Sequence, residues 1–176
     1  MARDTRNMRT LYLLRHAKAV PAEEYDGPDR ERPLEKRGRK ASQAIADWVA
    51  EQRLAPALAL CSASMRTRQT LDIVAPSFKH LPEVRLEEGL YLADARQLLA
   101  RLREVPGDTE SVVMVGHNPG FHELAILLSE VTTGPLIARL GNFPTGALVI
   151  FAIEVPWSAL GRRTARLTEV VLPKEL

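Results

Sequence analysis

Three short runs of uninterrupted apolar residues constrain the fold of this chain more than any other feature. The runs are LYLL at 11–14, LALC at 58–61 and VVMV at 112–115. Each has the length of a β-strand, and consecutive apolar residues are typical of strands that are buried on both faces of a sheet. Such sheets are covered by helices on both sides, so the runs predict an α/β fold.

The segments between the runs carry helical periodicity. Apolar residues recur at i, i+3, i+4, i+7 and i+8 from Ala41 to Val49, with charged residues between them. Further helices are predicted at about 66–75, after the N-cap residue Asp94, and from Phe121 onward. The alternation of strands and helices predicts a three-layer α/β/α arrangement around a mostly parallel central sheet.

The C-terminal part has a different pattern, because two strand-like segments follow each other without a helix between them. They cover 147–155 and 164–172 and predict an antiparallel edge of the sheet. A short strand is also predicted at 84–86, and the stretch 17–35, rich in proline and charge, predicts a long loop. No repeat or linker divides the 176 residues, so a single domain over 1–176 is expected.

Composition and charge exclude several classes of protein. The 24 Lys and Arg are interleaved with 22 Asp and Glu and leave a net charge of +2, which gives no cationic face for nucleic acid. Cys61 is the one cysteine, so a reducing compartment is expected. The first ten residues lack the apolar core of a signal peptide, and the longest apolar run, 147–153, is too short to span a bilayer. A cytoplasmic protein without membrane contact is therefore expected.

Polar side chains follow all three apolar runs at the points where the predicted strands end. Arg15 and His16 come directly after the first run, Ser62 and then Arg66 after the second, and His117 after the third. Ligands of open α/β sheets bind outside the carboxyl ends of the strands. If the strands are parallel, these side chains gather at one edge of the sheet.

The residue types at this edge suit the chemistry of phosphate. An arginine guanidinium stays cationic and presents a planar fork of donors that matches phosphate oxygens. A histidine that is neutral near pH 7 can act as a nucleophile, while a second histidine donates to an oxygen. Phosphoryl transfer needs little beyond positioning and stabilisation of the charge on the peripheral oxygens. The three strand ends together predict a site for phosphoryl transfer.

Other phosphate and metal chemistries do not match the sequence. A cysteine phosphatase requires Cys-x5-Arg, whereas four residues separate Cys61 from Arg66. The pattern G-x4-G-K-[ST] of a nucleotide P-loop does not occur, and neither does the H-E-x-x-H pattern of a zinc site. His117 and His122 are five positions apart and would lie on different faces of a helix. No metal site is predicted.

The three motifs resemble those of the histidine phosphatase superfamily, the phosphoglycerate-mutase-like proteins. LYLLRHAKA resembles its Arg-His-Gly signature, SASMRTRQT its second-arginine motif and VVMVGHNPG its second-histidine motif. The short length and the segment ERPLEKRG after the first motif look most like the small SixA-type phosphohistidine phosphatases. The resemblance covers about residues 10–120. It implies a phosphoglycerate-mutase-like fold and an enzyme that uses no metal or other cofactor.

The resemblance also implies roles for individual residues. His16 would be the nucleophile that carries the phosphoryl group transiently, and the phosphate would be held by Arg15, Arg66 and His117. Three further side chains are expected to contribute to substrate binding: Arg32 in ERPL, Ser62 and Asn118.

A carboxylate that acts as general acid and then as base is expected in the segment LEEGLY. Glu88 matches the position at which the family often has this group, where it would protonate the leaving group and later deprotonate the attacking water. Glu87 is its neighbour, and the register between the two stays open. The alternative that both glutamates are ordinary side chains of a polar loop also stays open.

Three positions depart from the motifs of the superfamily. Ala17 stands where glycine is usual, so a positive φ at this position would be strained. Ala63 and Thr67 replace the usual proline and alanine around the second arginine. None of these changes removes a reacting group.

Three functions are compatible with these motifs. The first is hydrolysis of phosphohistidine in a signalling protein of the histidine-phosphotransfer type, and the second is hydrolysis of a small phosphate monoester. The third is binding of phosphate without catalysis, against which the presence of a nucleophile at His16 argues. Only 50 residues lie between Arg66 and His117, which leaves little material for a lid over the site. The oligomeric state is not predicted.

Overall fold

The computed structural model describes residues 7–176, which form six β-strands and five α-helices. The strands are β1 (Arg9–Arg15), β2 (Leu58–Ser62), β3 (Glu83–Glu87), β4 (Ser111–Gly116), β5 (Leu148–Ile153) and β6 (Ala165–Val171). The helices are α1 (Lys36–Glu51), α2 (Met65–Val74), α3 (Ala95–Arg103), α4 (Gly120–Leu128) and α5 (Pro135–Leu140).

All six strands belong to one sheet with the order β3-β2-β4-β1-β5-β6. The four strands β3, β2, β4 and β1 pair in parallel, as predicted. β5 pairs antiparallel with β1, and β6 pairs antiparallel with β5, so the predicted antiparallel addition to the sheet is confirmed. The carboxyl ends of β1, β2 and β4 therefore meet at one edge of the sheet.

Two hydrophobic clusters cover the two faces of the sheet and produce the predicted three layers. Side chains alternate along β1, so that Leu11 and Leu13 belong to one cluster and Tyr12 and Leu14 to the other. The first cluster includes apolar residues of α3 and α4, and the second includes apolar residues of α1 and α2. The three central strands are buried on both faces because each lies between two helical layers.

The structure differs from the sequence-based prediction in the lengths of some elements. α3 ends at Arg103 rather than at the Pro106-Gly107 pair, and its N-terminus has a complete capping box between Asp94 and Gln97. α5 was not predicted, since it has only six residues and begins at Pro135. The predicted loop 17–35 contains two short 3-10 turns and is closed by a bridge between Ala19 and Leu34.

Within residues 7–176, none of the helices combines the length and the apolar character that crossing a bilayer requires.

Candidate active site

The end of β1 fixes the backbone of Arg15 and His16 between two neighbouring strands. The amide of His16 donates to the carbonyl of Gly116 at 3.1 Å, and its carbonyl accepts from the amide of Gly146 at 3.0 Å. Arg15 Nη1 donates to the carbonyl of Phe143 at 2.9 Å. Both side chains therefore leave the sheet in defined directions.

One hydrogen bond determines the tautomer of His16. Its Nδ1 lies 2.8 Å from the carbonyl oxygen of Ala17. A carbonyl oxygen only accepts, so Nδ1 carries the proton of the neutral ring and Nε2 carries the lone pair. Nε2 has no hydrogen-bond partner among the described residues and is not enclosed by protein.

Ala17 occupies the position of the family's usual glycine without backbone strain. Its φ is not positive, so the position does not require glycine. Its amide donates to Thr70 Oγ1 at 3.0 Å, and the Thr70 hydroxyl donates to the carbonyl of Arg66 at 2.8 Å. Thr70 thus connects the loop after β1 to the first turn of α2.

His117 follows β4 and faces His16 across the carboxyl edge of the sheet. The two ring centroids are 5.3 Å apart. His117 Nε2 lies 2.7 Å from Ser62 Oγ at the end of β2, while its buried Nδ1 has no partner among the described residues. The edge of the Tyr91 ring packs against His117 with the centroids 5.6 Å apart. Ser62 therefore orients His117 from behind.

The N-terminal turn of α2 places Arg66 in the site. The Ser64 hydroxyl caps the helix by accepting from the amide of Thr67. Arg66 is only 3% exposed, and its guanidinium donates to both the carbonyl and the carboxylate of Asp29, at 2.9 and 3.0 Å. The described chain offers no partner to Arg66 Nε.

Asp29 is an acidic residue of the site that is not among those predicted from the sequence. Its carboxylate accepts hydrogen bonds from Arg66 Nη2, from the Tyr91 hydroxyl, and from Nε and Nη2 of Arg32. Arg32 also donates to the carbonyl of Val20 at 2.8 Å. The Asp29 carboxylate thus accepts hydrogen bonds from the guanidinium groups of two arginines.

Burial and the arginines keep both histidines neutral near pH 7. Burial lowers the pKa of His16 to about 4; the bond to the Ala17 carbonyl opposes this shift, and the charges of Arg66 and other arginines add to it. Burial also lowers the pKa of His117 to about 3, with further contributions from His16 and Arg66. A neutral His16 has the free lone pair that a nucleophile needs.

The carboxylate of Asp29 stays ionised, because its neighbours favour the charged form. Burial raises its pKa, but the hydrogen bonds from Tyr91 and Arg32 and the charge of Arg66 outweigh this effect and hold the pKa well below its usual range. Burial and the neighbouring Arg66 lower the pKa of Arg15 from its ordinary value.

A cavity of about 450 Å³ brings most of the predicted residues together. Its lining includes six residues named from the sequence: Arg15, His16, Arg32, Arg66, His117 and Asn118. Lys18, Ala19, Asp29, Leu92 and Thr145 complete the lining.

Ser62 and Asn118 form hydrogen bonds within the protein. Ser62 is fully buried behind His117 and does not line the cavity. The Asn118 amide donates to the carbonyls of Asn142 and Phe143, and its oxygen accepts from the amide of His122. Asn118 thus holds the loop that also binds Arg15.

Glu88 and Glu87 lie outside the cavity lining. Glu88 is 68% exposed and forms an ion pair with Arg30 on the surface. Glu87 points to the other side of β3 and binds Arg101 through two oxygens, at 2.6 and 2.9 Å. The carboxylate that the structure brings to the predicted histidines and arginines is that of Asp29.

The remaining candidate chemistries receive no support from the described residues. Burial raises the pKa of the Cys61 thiol to about 12, so that this sulfur is protonated and unreactive near pH 7. Among residues 7–176, no three His, Cys, Asp or Glu side chains are grouped so that they could hold a metal ion.

A comparison with protein families finds one family whose sequence model matches part of this chain. The model of the histidine phosphatase superfamily (branch 1) matches residues 11–91, from β1 to the tyrosine beside His117. Over residues 11–91 the chain therefore resembles the histidine phosphatase superfamily. The full fold agrees, since a putative phosphohistidine phosphatase SixA from Nakamurella multipartitia superposes with a TM-score of 0.83 and 28% sequence identity. That match covers 97% of this chain and 99% of the other.

Curated proteins of mycobacteria resemble this chain to different extents. An uncharacterized protein of Mycobacterium tuberculosis, Rv1276c, is 29% identical over 168 residues, which cover 92% of this chain and all of that protein. An 8-oxo-(d)GTP phosphatase of Mycolicibacterium smegmatis is 35% identical over 102 residues, which cover 56% of this chain and 31% of that protein. The superfamily resemblance predicted from the three motifs is therefore confirmed.

Proposed function

We propose that this protein is a phosphatase that hydrolyses phosphohistidine in a protein, through a phosphohistidine intermediate on His16. One observation carries the proposal. Nδ1 of His16 is engaged by the Ala17 carbonyl, so that Nε2 is the nucleophilic atom, and this ring lines a cavity with three arginines. A nucleophile beside several phosphate-binding groups suits phosphoryl transfer better than binding alone.

In the first step of the proposed reaction, the phosphoryl group moves from the substrate to His16. Nε2 forms a bond to phosphorus while the bond between phosphorus and the substrate nitrogen breaks. The guanidinium groups of Arg15 and Arg66 and the ring of His117 stabilise the charge on the peripheral oxygens. The departing imidazole takes up a proton from solvent water as it leaves.

In the second step, water hydrolyses phospho-His16. The water oxygen attacks phosphorus, the bond from phosphorus to Nε2 breaks, and the ring again has a free lone pair. We assign acceptance of the water proton to Asp29, because this carboxylate lines the cavity together with His16. Phosphate first takes over the donors of Arg32 and Arg66 that Asp29 occupies in the free protein.

Two features favour phosphohistidine over an ester as the substrate. The similarity to a putative phosphohistidine phosphatase SixA extends over 97% of this chain. In addition, Asp29 is the carboxyl group of the described cavity, and it is ionised. The alkoxide leaving group of an ester needs a protonated acid more than an imidazole leaving group does. A small-molecule phosphomonoesterase is the second candidate, supported by the relative named for action on 8-oxo-(d)GTP.

Parallel assays of three substrates test the proposal. We expect the wild-type protein to hydrolyse a phosphohistidine peptide with a higher kcat/KM than a sugar phosphate or an aryl phosphate, with or without a metal chelator. Turnover of the sugar phosphate alone would establish the second candidate instead. Failure to hydrolyse any of the three would favour binding without catalysis, and loss of activity in the chelator would contradict metal independence.

Substitutions of Asp29 and of Glu88 decide which carboxylate accepts the proton of the attacking water. Asp29→Asn keeps the side-chain shape but removes the charge that competes for Arg32 and Arg66, so we expect inorganic phosphate to inhibit at roughly tenfold lower concentration. Hydrolysis of trapped phospho-His16 is expected to slow by about 10²-fold, because the base is lost. Rapid-quench measurement of dephosphorylation checks this.

The matched control for this pair is Glu88→Gln, which removes an exposed carboxylate from the neighbouring surface. We expect it to leave both phosphate inhibition and dephosphorylation unchanged, since Glu88 binds Arg30 outside the cavity. The opposite result, a slow Glu88→Gln and an unaffected Asp29→Asn, would return the acid–base role to Glu88.

A further inference from the structure

A second groove lies beside the phosphate cavity, between α1 and the C-terminal end of the chain. Its volume is about 520 Å³. Lys18 and Thr145 line both the groove and the cavity, so the two lie next to each other. A ligand whose phosphoryl group reaches His16 can therefore extend directly into the groove.

The charged side chains that line the groove are all of one sign. Four cationic side chains line it, and among residues 7–176 no carboxylate side chain does. Lys18 has a partner in Glu35, with Nζ and Oε1 3.4 Å apart. Arg37, Lys40 and Lys174 are exposed, and none of them has an ion-pair partner within the described chain. Three cations are thus available to an anionic ligand.

The floor of the groove is apolar. The α1 side of the floor consists of Ala41 and Ala44, and the opposite side consists of Pro144, Leu172 and Pro173. An apolar floor with a cationic rim matches a ligand that carries both apolar and acidic groups. A free phosphate ion has no group to place on such a floor.

A close approach of backbones places this cationic face next to the catalytic loop. A Cβ at Gly38 would lie 2.0 Å from the carbonyl oxygen of Lys18, so only glycine permits α1 to pack here. The amide of Glu35 donates to the same carbonyl at 3.0 Å. Gly38 therefore packs against Lys18, which is two residues after His16, and Arg37 and Lys40 flank Gly38 in the sequence.

We infer that this groove binds an acidic, partly apolar segment of the phosphorylated protein while its phosphohistidine occupies the cavity, an inference that rests on the proposed function. Carboxylates of the segment pair with Arg37, Lys40 and Lys174, and its apolar side chains contact the floor. Charge complementarity of this kind raises the rate of encounter and fixes the orientation of the partner. A phosphate ester that fills only the cavity leaves all three cations and the floor without a contact.

Three phosphohistidine substrates test the inference. They are a helical peptide with glutamates and leucines around one phosphohistidine, the same peptide with lysines in place of the glutamates, and the free amino acid phosphohistidine. For the wild-type protein we expect kcat/KM to be at least about tenfold higher for the acidic peptide than for the lysine peptide. The difference should disappear at about 0.5 M salt, where charges are screened within a few ångströms.

A triple variant links this preference to the groove. Arg37→Ala/Lys40→Ala/Lys174→Ala is expected to lower kcat/KM for the acidic peptide to the value for the lysine peptide and to leave turnover of free phosphohistidine unchanged. The matched control is Arg53→Ala/Lys79→Ala/Arg162→Ala, which removes three exposed cations elsewhere and should behave as wild type. Equal kcat/KM for the two peptides in the wild-type protein, or equal losses in the two triple variants, would overturn the inference.

Binding separates the inference from the proposed function. Fluorescence anisotropy of the labelled acidic peptide with the His16→Ala protein measures affinity without hydrolysis, and the three groove substitutions should weaken it by about tenfold or more. If the wild-type protein hydrolyses no phosphohistidine, the proposed function fails while this affinity still tests the groove. If the groove substitutions impair a sugar bisphosphate and not the peptide, the groove holds a second phosphate and the inference is wrong.

Discussion

Replacement of His16 by alanine is expected to lower kcat by about 10⁴-fold or more, because it removes the atom that forms the bond to phosphorus. Steady-state assay with the phosphohistidine peptide measures this loss. We expect little change in KM, because the arginines that bind phosphate remain in this variant. The affinity for inorganic phosphate should stay within a fewfold of the wild-type value, which a competition binding assay checks.

The control for His16→Ala is His80→Ala, which removes an exposed histidine from another part of the surface. We expect wild-type activity from this variant. An active His16→Ala protein would contradict covalent catalysis and would point to direct attack of water on the substrate.

Arg66→Ala is expected to have the second largest effect, a loss of roughly 10²–10³-fold in kcat/KM. The side chain is buried in the site and provides two donors in fixed geometry, which a phosphate can accept in place of Asp29. Arg66→Lys keeps the charge but not the planar fork, so we expect it to recover only part of the loss. Kinetics of the three proteins on one substrate provide the measurement.

The fold of the Arg66 variants needs its own measurement, because removal of a buried cation leaves Asp29 with one arginine fewer. Thermal unfolding shows whether a loss of activity follows from a loss of structure. Arg68→Ala, which truncates an exposed arginine of the same helix, is the matched control and should match wild type in both stability and activity. A folded Arg66→Ala protein with wild-type kcat/KM would show that Arg66 is not a phosphate ligand.

The sheet and the meeting of Arg15, His16 and His117 at its edge were predictable because their signals are local. Strands buried on both faces produce consecutive apolar residues, and β1, β2 and β4 all have this pattern. A parallel sheet then places every strand end at the same edge. Arg15, His16 and His117 follow such strands directly, so that their meeting follows from the topology.

Asp29 was not predictable from local patterns. It lies in a loop in which prolines and charged residues follow each other without periodicity, and its partner Arg66 is 37 positions away in the sequence. Only the folded loop, closed by the bridge between Ala19 and Leu34, brings this carboxylate to the arginines. A charge in such a segment has the same sequence signature whether it is solvated or lines a cavity.

The acid–base role of Glu88 or Glu87 stays a prediction, and neither carboxylate lines the cavity. Successive residues at the end of β3 point to opposite sides, which sends Glu87 to Arg101 on α3 and Glu88 to Arg30 on the surface. The alternation of side chains along a strand predicts that Glu87 and Glu88 point in different directions. It does not predict which of these directions leads to the cavity. The groove beside the cavity was equally hidden, because Lys174 and Arg37 approach each other only in the folded chain.

Trapping the phosphorylated protein shows whether His16 carries the phosphoryl group during the reaction. A short reaction with a peptide that carries a radiolabelled phosphohistidine is quenched in base, and the labelled fragment of the protein is identified. We expect the label on Nε2 of His16, lost in acid and stable in base, and absent from the His16→Ala protein. A label that survives acid, that lies on another residue, or that persists in His16→Ala would contradict the account.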